Sequence, residues 1–155
     1  IELGKPGEIC IRGPQVMVGY WNNPEETKKV MFDDGWFRTG DFGRMDEKGF
    51  VFIEDRKKDM IIVSGFNVFP NEIEGVVANM EGILETAAIG MPSEKSGEAI
   101  KLFVVRNNES ITEEDIINYC RKNLTPYKIP KKIVFKQELP KTNVGKILRR
   151  ALRDS

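Results

Sequence analysis

"DMIIVSGFNVFPNEIEGVVANM", residues 59–80, changes its hydrophobic period halfway along. The first part, "DMIIVSG", is a short apolar run ending at a glycine and predicts a strand. The second part, "PNEIEGVVANM", opens on Pro70, a residue suited to the first position of a helix. Ile73, Val76, Val77 and Met80 then recur at three- and four-residue spacing, one face of a helix. Beyond this stretch the same mixture continues. "ETAAIGM" and "AIKLFVVRN" read as strands, and "TEEDIINYCRKNL" as a helix whose Thr112 and Asp115 have the spacing of a capping box. "LTPYKIP" is a loop broken by prolines, "KKIVFK" a short strand and "GKILRRALRD" a terminal helix. Strands and helices mix without strict alternation, so the region from residue 56 onward is expected to be a small α+β domain.

Upstream, residues 1–53 read differently. "GEICIRG" alternates, "NNPEETKKVM" is a short helix with Asn23 as its cap and Pro24 at its first position, and "DDGW" is a turn. A second turn at "DEKG" leads into the strand "GFVFIED". This part is β-rich. The chain opens on isoleucine inside a strand-like pattern, so it is expected to be part of something longer.

With 155 residues, 40% hydrophobic and 31% charged, the composition is that of a folded globular protein. Twenty-four basic side chains balance 24 acidic ones, which argues against bulk electrostatic binding to nucleic acid or an acidic membrane. Cys10 and Cys120 stand alone, without metal spacing, and read as reduced, buried thiols of a cytosolic protein. No apolar run approaches the ~20 residues of a membrane span, and no signal-peptide pattern is present. Histidine is absent. Ser–His and Cys–His nucleophiles and histidine metal sites are therefore excluded, and any chemistry here must run on lysine, arginine and carboxylates.

Four stretches could carry it. "FRTGD", residues 37–41, puts a carboxylate behind a Thr-Gly turn, where it could accept two hydroxyl hydrogen bonds or simply cap the turn. "EDRKKD", residues 54–59, is a charge run that could equally be a solvated hairpin end. In "VSGFNVFPNEIE", residues 63–74, Gly65 could let a ligand lie against the backbone or could mark a bend. "PKTNVGK", residues 140–146, lacks the phosphate-loop spacing, so Lys146 is either one more solvated charge or a charge on a flexible arm.

Taken together, "GEICIRGPQVMVGYWNNPEET", "GWFRTGD", "DRKKDMIIVSGFNVFPNEIE", "LTPYKIPKKIVF" and "LPKTNVGKILRR" resemble, in order and spacing, the AMP-forming acyl-CoA synthetases of the adenylate-forming superfamily. The resemblance covers essentially the whole chain and is strongest to bacterial long-chain fatty acid–CoA ligases. It implies that residues 1–55 are the end of a large N-terminal domain and residues 56–155 a mobile C-terminal domain. Asp41 matches the aspartate that binds the ribose hydroxyls of ATP, and Arg56 the arginine that contacts the nucleotide near ribose and phosphate. Lys58 falls on the hinge position. Ser64 and Gly65 match the segment lining the pantetheine tunnel, and Lys146 the catalytic lysine of adenylation. The family often has glycine where this chain has Asp55, as fatty-acyl and luciferase-like members do.

The resemblance further implies ATP with Mg2+, CoA and a fatty acid as reactants, with no role for nucleic acid. It also implies a cytoplasmic enzyme able to associate peripherally with the inner membrane face. Aryl- and amino-acid-activating enzymes share these motifs, and a non-catalytic α+β module is the alternative from another class. The family's phosphate loop and acyl pocket lie upstream of these motifs, so this stretch by itself is expected to be inactive.

Overall fold

The structure is a computed structural model and describes residues 2–153. The chain divides between Lys58 and Asp59 into two compact units.

The first unit is a three-stranded antiparallel sheet of β1 (Gly7–Ile11), β2 (Phe37–Met45) and β3 (Val51–Arg56), side by side in that order. The β2–β3 turn is closed by Asp46, whose Oδ1 accepts from the amides of Lys48 and Phe50 at 3.0 and 2.9 Å. Helix α1 (Pro24–Val30) starts as its sequence predicts, with the Asn23 side chain accepting from Glu26 N at 3.2 Å and Pro24 following. Among the described residues, this unit contributes no side chain to the buried hydrophobic core. Phe50, Val51, Phe52 and Ile53 on and before β3 are all exposed. Cys10, expected to be buried, is only half-buried on β1, because that strand has a single partner.

The second unit holds the core. Its sheet runs β5 (Phe66–Val68), β4 (Ile61–Val63), β7 (Gly97–Arg106), β6 (Ile83–Ser93). β8 (Lys132–Phe135) lies parallel to β7 along residues 101–104, on the edge that β4 reaches only at Val63↔Gly97. β7 is consequently covered on both faces, which is why "AIKLFVVR" is almost continuously apolar. Ile100, Leu102 and Val104 point to one face, where α2 (Pro70–Ala78) packs Ile73 and Val77, and α3 (Glu113–Asn123) packs Ile116 and Cys120. Phe103 and Val105 point to the other face, against Leu139 and Leu152. The capping box of α3 is complete: Thr112 Oγ1 accepts from Asp115 N at 3.2 Å, and Asp115 Oδ2 accepts from Thr112 N at 2.8 Å. The terminal helix α4 (Arg149–Arg153) is shorter than "GKILRRALRD" suggests, because residues 141–147 are taken up by a turn instead.

The "VSGF" bend is a hairpin. Val63 pairs with Phe66, and the two residues between them, Ser64 and Gly65, have φ of +51° and +83°. Both central residues in the left-handed region give a type I′ turn, the form that matches strand twist. Glycine adopts this freely, whereas serine does so at a cost. Among the described residues no helix is long and apolar enough to cross a membrane.

Candidate functional site

In the first unit, β2 and β3 bring Asp41 and Arg56 opposite each other as a cross-strand pair. Arg56 Nε and Asp41 Oδ1 form an ion pair at 2.9 Å, with the arginine side chain 58% exposed and the aspartate 24%. The expected Thr-Gly turn before Asp41 is absent. Residues 37–45 form one strand, and Gly40, with φ of +73°, supplies a local twist within it. Thr39 Oγ1 is the brace, donating to Ile9 O at 2.8 Å and accepting from Asp41 N at 3.1 Å. The capping alternative thus falls to Thr39, leaving the Asp41 carboxylate outward. A carboxylate has about four acceptor positions, so one bond from Arg56 leaves room for a diol. An exposed pair of this kind is worth only ~0–1 kcal/mol to the fold, so it opens readily for a ligand. Gly40, Arg56, Lys57 and Lys58 line an open pocket beside the pair. Lys58 lies in a single 3-10 turn, Lys57–Asp59.

In the second unit, Ser64 and Gly65 form the exposed tip of the β4–β5 hairpin. Ser64 sits on the rim of a cavity of about 650 Å³ whose walls include Pro92, Lys95, Tyr127 and Lys131. Phe66 stacks on Tyr127 with ring centroids 4.7 Å apart, which steadies the hairpin against that wall.

Lys146 closes a tight turn rather than riding on a flexible arm. Thr142 N donates to Lys146 O at 2.7 Å, Lys146 N to Thr142 Oγ1 at 3.2 Å, and Gly145 N to Thr142 O at 2.9 Å. Gly145 has φ of +79° with open space around it, so backbone conformation, not crowding, calls for glycine there. The Lys146 side chain is exposed, and among the described residues no carboxylate pairs with its ammonium.

Two ionic anchors hold this turn. Lys141, on the incoming leg, pairs with Glu85. On the outgoing leg Arg149 forks onto Glu74, Nη2 to Oε2 at 2.7 Å and Nε to Oε1 at 3.2 Å. Its Nη2 also donates to Asn71 Oδ1 at 2.9 Å, and Arg153 Nη2 donates to Asp59 Oδ1 at 2.7 Å. Sequence reading missed this network. Glu74 stands 75 positions from Arg149 and Asp59 stands 94 from Arg153, so no local pattern links them.

Among the described residues no cluster of acidic or thiol side chains could hold a metal ion. The Asp41–Arg56 pair offers one carboxylate already bonded to a guanidinium, which does not suit a resident magnesium ion.

Comparison with known proteins follows this geometry. Residues 72–146 match the family model of the AMP-binding enzyme C-terminal domain. A long-chain-fatty-acid–CoA ligase of Yersinia pestis is 62% identical over 154 residues, 99% of this chain and 27% of that protein. The chain thus spans about a quarter of the length of such relatives. The crystal structure of ATP-bound MatB from Rhodopseudomonas palustris superposes with a TM-score of 0.94 at 41% identity, covering 99% of this chain and 31% of that one. The apo structure of the same protein, with the same coverage, gives 0.67.

Proposed function

We propose that this chain, whose residues 72–146 match the AMP-binding enzyme C-terminal domain, is part of an adenylate-forming enzyme, an AMP-forming long-chain fatty acid–CoA ligase. The observation that carries the reading is the 62% identity over 99% of the chain to a ligase of that name. Its reaction joins a fatty acid to ATP, giving acyl-adenylate and pyrophosphate, and then moves the acyl group to the thiol of CoA.

The residues fit that chemistry. The attacking carboxylate is already an anion, so the first step needs no general base. Its barrier is the approach of two negative groups and the charge gathering on phosphate oxygens. A fixed ammonium at that point is worth several kcal/mol in a water-poor site. Lys146, held on a closed turn and without a carboxylate partner among the described residues, is the group proposed to supply it. Asp41 would accept from the ribose hydroxyls, and Arg56 would turn part of its guanidinium to the nucleotide. Magnesium would arrive with the nucleotide phosphates, since these residues offer it no seat.

The second step needs a different set of groups at the acyl carbonyl. Lys58 is proposed as the hinge that exchanges Lys146 for the Ser64–Gly65 hairpin. The cavity beside Ser64, with Lys95 and Lys131 among its walls, suits part of an anionic coenzyme. A long-chain fatty acid partitions into lipid, so the reading includes peripheral contact of the whole cytoplasmic enzyme with a membrane.

Lys146→Ala in the full-length protein is the test. Pyrophosphate release should fall ~100-fold or more while thioester formation from supplied acyl-adenylate stays near its original rate. Equal loss of both half-reactions would refute the assignment, and a panel of fatty, aryl and amino acids would fix the substrate class.

A further inference from the structure

We infer that Arg149 is the positioning residue that fixes where Lys146 delivers its charge, with Glu74 as its seat; the inference rests on the reading of Lys146 given above. The Thr142–Lys146 turn is internally closed by its own hydrogen bonds, so it moves as a body. Where that body sits is decided at its legs. The incoming leg is held by buried Leu139 and by the Lys141–Glu85 pair. The outgoing leg passes through Ile147 and Leu148 into α4, which spans five of the described residues. A helix that short is not stable by itself, so its place must come from tertiary contacts.

Those contacts include the bond from Leu148 N to Pro140 O at 2.8 Å and the one from Arg153 Nη2 to Asp59 Oδ1 at 2.7 Å. Leu152 is buried, but an apolar contact leaves rotation about it free. Arg149 removes that freedom with a planar fork onto the Glu74 carboxylate and a further bond to Asn71, both on α2. The Arg149 side chain is 20% exposed and that of Glu74 15%, so this is a largely desolvated pair rather than a surface one. Glu74 is fixed in turn, since its Oε1 also accepts from Ala88 N on β6 at 2.8 Å. Arg149 lies three positions beyond Lys146, and the carboxylate that holds it is hydrogen-bonded to the central sheet. Arg149 also approaches Asp59 at 3.9 Å, and Asp59 directly follows the proposed hinge residue Lys58. One network therefore ties the catalytic turn to the first residue after the hinge. A lysine at 149 would keep the charge but lose the planar fork, so the turn would keep its fold and lose its orientation.

The experiment compares Arg149→Lys, Glu74→Gln and Lys146→Ala in the full-length protein. Arg149→Lys should lower kcat for adenylation ~10- to 100-fold, the usual effect of misplacing a reacting group by about an ångström, with KM for ATP within about twofold. Thioester formation from supplied acyl-adenylate should stay within about twofold, and amide hydrogen exchange across residues 142–149 should quicken. Glu74→Gln keeps an acceptor for Ala88 N but loses the ion pair; it should show the same split and carries the test if Arg149→Lys does not fold. Adenylation within about threefold of the parent in both variants would overturn the inference, as would a parallel fall in both half-reactions with a lowered Tm. If Lys146→Ala itself leaves adenylation intact, the underlying reading of Lys146 fails. If it abolishes adenylation while Arg149→Lys does not, only the positioning role fails.

Discussion

Raising the pH should unlatch the second unit through Cys120. This thiol sits on α3 with no exposed surface, among Ile73, Val77 and Ile116, and burial pushes its pKa up from 9.0 to about 11. The unfolded chain has no such burial and loses the thiol proton near the ordinary value. Between that value and about 11 unfolding therefore releases a proton, so stability falls as pH rises. The contribution is fully present below pH 9 and is lost as pH climbs through about 11, at ~1.4 kcal/mol per unit. From pH 8 to pH 10 that amounts to about 1 kcal/mol. Lysines and tyrosines titrate in the same range, so the measurement must be differential. Cys120→Ala removes the thiol and leaves a small cavity whose cost does not depend on pH. Urea unfolding followed by circular dichroism at pH 8, 9 and 10 should show the stability advantage of the parent over Cys120→Ala shrinking by about that amount. A difference that stays flat to pH 10, with helical signal intact, would mean that Cys120 ionises as freely folded as unfolded, and the packing of α3 against the sheet would be wrong.

Three further outcomes follow from the same structure. Thr112→Ala should cost ~1 kcal/mol by removing the hydroxyl that accepts from Asp115 N at the α3 cap, seen as a lower urea midpoint with an unchanged m value; no change would mean that this bond contributes nothing. Lys58→Pro should lock the Lys57–Asp59 turn, since a 3-10 turn already uses a φ near that of proline. Adenylation should then survive while thioester formation falls, and unimpaired CoA ligation would rule out a hinge at this residue. The 155-residue chain by itself should form no acyl-CoA and bind ATP at most very weakly in calorimetry, because the Asp41–Arg56 pair stands on an open surface in a unit whose described residues bury no apolar core; micromolar affinity would show that the nucleotide site is complete here.

What could be read from the sequence was what short-range chemistry decides. Asn23 with Pro24, Thr112 with Asp115, and the spacing of Ile73, Val76, Val77 and Met80 each place a helix start or a buried face within one or two turns of chain. The α+β character followed from these. Less visible were features set by partners far away. β5 was concealed because Ser64-Gly65 reads as a strand end, and only the pairing of Val63 with Phe66 shows it to be a hairpin. Asp41 seemed to follow a turn because Thr39-Gly40 is turn-like locally, yet pairing on both sides with β1 and β3 draws it into a strand. The Asn-Val-Gly stretch before Lys146 looked loose because glycine is permissive, whereas the Thr142 side chain and backbone close it. Arg149 carried no signal beyond being basic. Its meaning lies in Glu74 and Asn71, which reach it only after the sheet has formed.

The way β7 shares its edge also has a mechanical consequence. Along one side β7 pairs with β6 from Ser93↔Gly97 to Ile83↔Arg106, a ladder that resists shear because its bonds would have to break together. On the other side β4 joins it at one residue pair, Val63↔Gly97, beside the single bond from Ser64 N to Ser96 O at 2.8 Å. Tension entering at Asp59 reaches the sheet first through β4. It would peel that junction bond by bond, at low force, before it strained the β6–β7 ladder. A tug at Asp59 is thus absorbed by a compliant hairpin carrying Ser64 and Gly65, while the β6–β7 ladder keeps its shape.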